Sequence, residues 1–204
     1  MKKELDYFDI GGAPGGNQDW FGDPMMRLGG CAAVCACDSC IYFALYKNAA
    51  GVYPFDTRAL NRKDYVRFSR IMKPYLRPRR EGVSDPQIYI DGFGAYLRGR
   101  PACVSMTSLA GTRPVADAAA AVSARIGAGW PVPCLTLSHA DREYADYEWH
   151  WFMLTGFDGD GADMRVRAVT YSEARWISLA GLWNTGRERR GGLILYGEPE
   201  EKDE

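Results

Sequence analysis

The stretch RLGGCAAVCACDSCIYFALY, residues 27–46, places four cysteines within ten positions, directly after a glycine pair. From Cys31 to Tyr46 the run has few helix breakers and a broad apolar face. It reads as a helix that is apolar almost all round and therefore central to the fold. Successive helical residues turn by about 100°, which sets Cys35 about 40°, Cys40 about 180° and Cys37 about 240° from Cys31. Thiols on opposite sides of one helix cannot converge on a single ion, and a zinc site takes its ligands from separate turns or knuckles. No metal site is expected. Cys35, Cys37, Cys40, Cys103 and Cys134 read as small buried hydrophobes.

Cys31 is different. It follows Gly29 and Gly30 and opens the helical run. A thiol at a helix N-terminus meets free N–H groups and the positive end of the dipole, which favours thiolate. The same N–H groups can hold an oxyanion on a carbonyl carbon that the sulfur attacks. Gly29 and Gly30 are expected to let a substrate backbone approach closely.

The rest of the chain gives this helix its setting. The 204 residues are 47% apolar and 25% charged, with a formal net charge of −1. That is the balance of one globular domain, with no sequence-wide pull toward nucleic acid or an anionic membrane. RPRR (77–80) and RERR (187–190) read as solvated basic loops. MKKELDYFDIGG (1–12) does not read as a signal peptide, so a reducing cytosol is the expected compartment and disulfides are not expected. The longest apolar stretch is interrupted by Asp38 and is shorter than the roughly 20 residues of a membrane span. A single domain over 1–204 is expected, with a flexible lead-in over 1–16 and a frayed acidic tail over 198–204. GGAPGG (11–16) lacks the Gly-Lys-Ser/Thr ending of a phosphate loop and reads as plain loop. No cofactor is implied, and nothing in the sequence sets an oligomeric state.

The first half reads helical: 31–46, then 61–72 after an Asn cap, 84–99 with Ser84 as cap and Pro86 in its first turn, and the alanine-rich 114–129. The second half reads as strands over 132–138, 149–157, 164–170, 175–179 and 191–197, with DGDGAD (158–163) as a hairpin turn. Helices first and an antiparallel sheet afterwards is an α+β pattern.

A cysteine nucleophile needs a base, and the chain has two histidines. His139 lies in a polar loop. His150 opens an aromatic-rich strand, WHWFMLTGF, where it can face the N-terminus of the central helix. That is the geometry a thiolate–imidazolium pair with Cys31 requires, and such a pair is expected. A glutamine-bearing loop, then GGCAAV opening a helix, a helical half, and HWFMLTGFD starting a strand meander resemble the papain-like cysteine peptidases. The likeness is to the branch that includes the double-glycine leader peptidases of bacteriocin export, and it spans residues 17–196.

The resemblance implies a helical lobe with its central N-terminal helix packed on a β-sheet lobe. It implies Cys31 as nucleophile, His150 as base and Gln18 as upstream oxyanion donor, with Asn17 as a substitute. It implies an orienting Asp or Asn on the strand after the histidine strand. This chain reads AVTYSEA there; Glu173 is the first candidate, Thr170 the next, and Asn184 a distant one. Trp20, Trp149 and Trp151 are expected to line the cleft. The implied activity is hydrolysis of a peptide or small amide, or acyl transfer from it, through a thioester on Cys31. Two other classes stay open: a binding protein on the same scaffold that no longer cuts, and a redox or metal-handling protein using the cysteine cluster.

Overall fold

The computed structural model describes residues 1–100 and 104–199; Cys103 and tail residues 200–204 lie outside them. The decisive stretch forms one helix. A short helix α1 (Pro24–Gly29) hands over at Gly30 to α2 (Cys31–Tyr46). Alanine and cysteine side chains keep α2 slim, so neighbours pack closely on every side, and Ala33, Ala36, Cys37, Cys40, Ile41 and Phe43 have no exposed surface. Phe43 alone meets the rings of Phe93, Trp130 and Tyr196. A large apolar side chain buried in this way contributes roughly 1.5–3 kcal/mol over leaving it in water.

Two further helices, α3 (Arg62–Met72) and α4 (Pro86–Leu97), complete the first half. Asn61 caps α3 through the Asp64 N–H, and Asp85 caps α4 through the Gln87 N–H with Pro86 behind it. Asn61 and Pro86 are start signals the sequence displays. At α4 the sequence reading puts the cap on Ser84, and the structure corrects it to Asp85, whose carboxylate is the one that reaches the Gln87 N–H. The sheet follows: β2 (Ser105–Ala110), helix α5 (Val115–Gly127), β3 (Val132–Thr136), β4 (His150–Asp158), β5 (Arg165–Thr170), β6 (Glu173–Ser178), helix α6 (Leu179–Trp183) and β7 (Gly191–Gly197). Strand order is β2-β7-β3-β4-β5-β6, antiparallel throughout. The fold is α+β.

β4 is the middle of this sheet. Helices α2 and α5 both pack on it, and its first eight residues are buried in succession. Unbroken burial means that both faces are covered, as in a strand sandwiched between layers. Among the described residues no helix is long and apolar enough to cross a membrane.

The structure corrects the sequence reading in three further places. The lead-in is not loose: β1 (Lys2–Glu4) pairs with β4 at Gly156–Asp158, and Leu5, Phe8 and Ile10 are buried. Three apolar side chains anchor the segment, and glycines at positive φ (Gly11, Gly12, Gly15) fold it back. The sequence reading places no element over 105–110, between two helices, where strand β2 lies. Its sequence SMTSLA is Ser/Thr-rich and partly exposed at the sheet edge, so it carries no two-residue apolar alternation. Helix α1 lies in what reads as a loop, although Asp23 caps it from Oδ1 to the Met25 and Met26 N–H groups and Pro24 follows.

Candidate active site

The site is assembled where α2 begins and β4 begins. Cys31 is 8% exposed at the first turn of α2, and no side chain caps that turn. The N–H groups of Trp151, Ala32 and Cys31 itself point at the sulfur and stabilise a thiolate. Burial opposes them and wins, holding the thiol above its ordinary pKa. Gly30 is small for a local reason: a Cβ there would overlap the Met26 carbonyl oxygen where α1 meets α2. This corrects the expectation that Gly30 opens the way for substrate. Gly29 does line the groove outside Cys31.

His150 is the first residue of β4 and is 5% exposed. Its Nε2 lies 2.6 Å from Thr170 Oγ1, the last residue of the neighbouring strand β5. Glu173 does not reach it. That carboxylate is exposed at the start of β6 and pairs with Arg175 at 2.6 Å. The β5–β6 turn explains the difference. Thr170 pairs with Glu173 across a two-residue turn, Tyr171 at φ 50° and Ser172 at φ 62°. That tight turn leaves Thr170 over the imidazole and Glu173 on the outer strand. Asn184 is exposed at the end of α6 and does not border the site.

The same turn supplies a residue that the sequence does not announce. Tyr171 stacks on His150, ring centroids 4.7 Å apart and planes within 5°. Two consecutive residues at positive φ call for Asn-Gly or similar, and Tyr-Ser carries no such signal. Trp149, immediately before His150, also has positive φ, 51°. Three of the four non-glycine residues at positive φ among the described residues flank the imidazole. Each such residue costs on the order of 1–3 kcal/mol, and conformations of this kind cluster at functional sites.

Cys31, His150, Thr170, Tyr171, Asn17 and Gln18 border one small notch of about 10 Å³, which Val34 and Trp151 also line. That is room for about one water-sized group. Gln18 donates from Nε2 to the Arg27 carbonyl at 3.0 Å, which fixes the amide the right way round. One Nε2 hydrogen is left over, and Oε1 is buried without a partner. Asn17 accepts the Asp19 N–H at Oδ1, leaving its amide hydrogens uncommitted. On the other side, Cys31 borders a groove of about 360 Å³ with Met25, Leu28, Leu135, Leu137 and Trp149. Trp151 lines both spaces; its Nε1 donates to the Val83 carbonyl at 2.6 Å.

Trp20 lies elsewhere. It borders a wider groove of about 660 Å³ along α3, with the Arg62 guanidinium 4.6 Å above its ring. That groove is larger but holds neither the thiol nor the imidazole.

Burial pulls His150 down to about 4. Near neutral pH both members of the pair are therefore uncharged in the resting protein, a thiol and an imidazole. This differs from the thiolate–imidazolium pair expected from the sequence, and the cause is desolvation of both groups. Cys35, Cys37, Cys40 and Cys134 are free and buried. Among the described residues no three His, Cys, Asp or Glu side chains come together as metal ligands. Comparison with known protein families, curated proteins and solved structures finds no match.

Proposed function

We propose that the chain is a cysteine-dependent amide hydrolase of papain-like arrangement, acting on a peptide or small amide. The observation that supports it above all is the convergence on one water-sized notch of a helix N-terminal thiol, a strand-head imidazole and two carboxamides. The notch fits a carbonyl oxygen, and the adjoining apolar groove fits the acyl side of the substrate.

In the productive tautomer His150 donates its Nε2 hydrogen to Thr170 Oγ1, which leaves Nδ1 as the base. Nδ1 takes the Cys31 proton as sulfur attacks the carbonyl carbon. Negative charge then develops on oxygen, held by the Cys31 N–H and by the free hydrogens of Gln18 and Asn17. The C–N bond breaks, the imidazolium returns its proton to the leaving amine, and a thioester remains on Cys31. Water, deprotonated by Nδ1, releases the acid and restores the thiol. A pair that is neutral at rest suits this route. Proton transfer accompanies attack, and the buried site does not have to hold two charges beforehand.

A second reading, a binding protein on the same scaffold, has one observation in its favour. Among the described residues no hydrogen bond joins Cys31 to His150. One experiment separates the two. The protein is incubated with peptide amides that carry an apolar residue before a fluorogenic amine, and hydroxylamine is used to trap the acyl group. The hydrolase reading expects release of amine, a hydroxylamine-sensitive mass increase on the Cys31 peptide, and neither in Cys31→Ala. Saturable binding with no acyl adduct and no release would establish the binding protein instead.

A further inference from the structure

Asp38 interrupts the apolar sequence of α2, and it is 3% exposed. It stands seven residues after Cys31, about two turns along the same helix face. A carboxyl in such a place costs several kcal/mol unless its oxygens are satisfied. They are satisfied by a set that only donates. Tyr65 donates to Oδ1 at 2.7 Å, Tyr7 to Oδ2 at 3.1 Å, and the Gly16 N–H lies 3.1 Å from both oxygens. Tyr7 comes from the N-terminal segment and Tyr65 from α3; on its own helix the neighbouring titratable groups are Cys35 and Cys37. Among the described residues no Lys, Arg or His is hydrogen-bonded or ion-paired to it.

The glycines before Gln18 fit this carboxyl. A Cβ at Gly15 would press on Asp38 Oδ2, and one at Gly16 would overlap the Tyr65 phenol. Gly16 also borders the catalytic notch, and Asn17 and Gln18 follow it directly. Apart from Asp38, the segment is tied down by few backbone bonds, among them Gly15 N–H to the Phe8 carbonyl at 3.1 Å. Its last fixed point before the carboxamides is the bond from Gly16 to Asp38.

We infer that Asp38 is a positioning residue: by accepting the Gly16 N–H it sets the path of residues 16–18 and so aims the Asn17 and Gln18 donors at the notch beside Cys31. This rests on the reading of Cys31 as nucleophile. It also carries a pH dependence. Burial pushes Asp38 up to about 6, so it is ionised at neutral pH and protonates just below. A protonated carboxyl brings an O–H into a place where three donors already meet, and one of the three must give way.

The test compares wild type with Asp38→Asn by two readouts. A peptide aldehyde forms a thiohemiacetal whose oxygen needs the notch donors. Chloroacetamide alkylation needs only the thiol. Asp38→Asn is expected to weaken aldehyde binding at least tenfold while alkylation stays within threefold. Amide hydrogen exchange at residues 16–18 is expected to speed up. Aldehyde affinity of the wild type should fall with a midpoint near pH 6, and in Asp38→Asn it should not. Ser39→Ala, a buried neighbour on the same helix, should move none of these. If Asp38→Asn does not fold, Tyr65→Phe removes one donor and should give the same signs at two- to fivefold. Aldehyde affinity within twofold of wild type, with an unchanged pH profile, overturns the inference. If wild type binds no aldehyde, the hydrolase reading falls, and exchange at 16–18 then decides alone: no change in Asp38→Asn overturns the positioning role.

Discussion

The loop that carries His139 and the strand head that carries His150 offer the same side chain in nearly the same burial, 7% and 5% exposed. They differ in what is left over. His139 has both ring nitrogens committed to backbone, Nε2 to the Gly181 carbonyl at 2.9 Å and Nδ1 to the Asp141 N–H at 3.0 Å. Its ring packs on Tyr144 at 4.7 Å. It ties a loop together and has nothing to offer a substrate. His150 commits only Nε2, to Thr170, and stands at the notch beside Cys31. Burial alone therefore does not separate the two histidines; the proposed role of His150 rests on its uncommitted nitrogen.

The sharpest way to break this contrast is to remove each ring. His150→Ala should lower amide hydrolysis on the order of 10³-fold or more, as loss of a general base does. His139→Ala should leave turnover per folded molecule within about threefold. Its cost should be stability, about 1–3 kcal/mol for two lost hydrogen bonds and a part-buried carbonyl left without its donor. Equal losses of turnover in the two variants would erase the distinction.

A second test uses pH. His150 sits near 4 when folded and about 6.5 when unfolded, so the unfolded chain binds more protons between those values. Its contribution is complete above about pH 6.5 and is lost as pH falls toward 4, on the order of 3 kcal/mol. Asp38 runs the other way, about 6 folded against about 3.9 unfolded. Its contribution is complete below about pH 4 and is lost as pH rises through 6, again on the order of 3 kcal/mol. The two slopes oppose each other between pH 4 and 6. Denaturant melts across that window should show stability falling with pH in His150→Gln and rising with pH in Asp38→Asn. Parallel profiles in the two variants would mean that one of these groups is not buried in solution as it is here.

A smaller effect is expected at the imidazole's own partner. Thr170→Val should cost about 10- to 30-fold in turnover, because the ring loses the bond that fixes its tautomer. Glu173→Gln, on an exposed side chain, should stay within about twofold. The smallest change is expected at the strained turn. Tyr171→Asn with Ser172→Gly supplies residues that accept positive φ and should stabilise the fold by about 1–2 kcal/mol. It removes the ring from His150, so turnover should fall while the melting temperature rises. A rise in both would mean that the stack on His150 contributes nothing to chemistry.

Much of this was legible in the residues. Helix α2 begins and ends where its apolar run does, and the cap at Asn61 and Pro86 in a first turn mark the next two helices. What escaped has a common character. β2 lies at a sheet edge, partly exposed along its whole length, and its Ser/Thr-rich residues carry no apolar alternation. The lead-in looks flexible because its glycines stand out, while the anchors Leu5, Phe8 and Ile10 find their partners only in distant elements.

By itself the sequence determined the α+β order of elements, the position of Cys31 at the head of a central helix and that of His150 at the head of a strand. Each follows from local pattern: turn residues, caps and the spacing of apolar side chains. Only the tertiary structure decided that Thr170 rather than Glu173 meets the imidazole, and that Trp20 lies in another groove. It also decided that Tyr171 covers His150 and that Asp38 holds the glycines ahead of Gln18. Those outcomes depend on the handedness of a two-residue turn and on which side chains a buried carboxyl can reach. Both are set by long-range packing, which leaves no periodic trace along the chain.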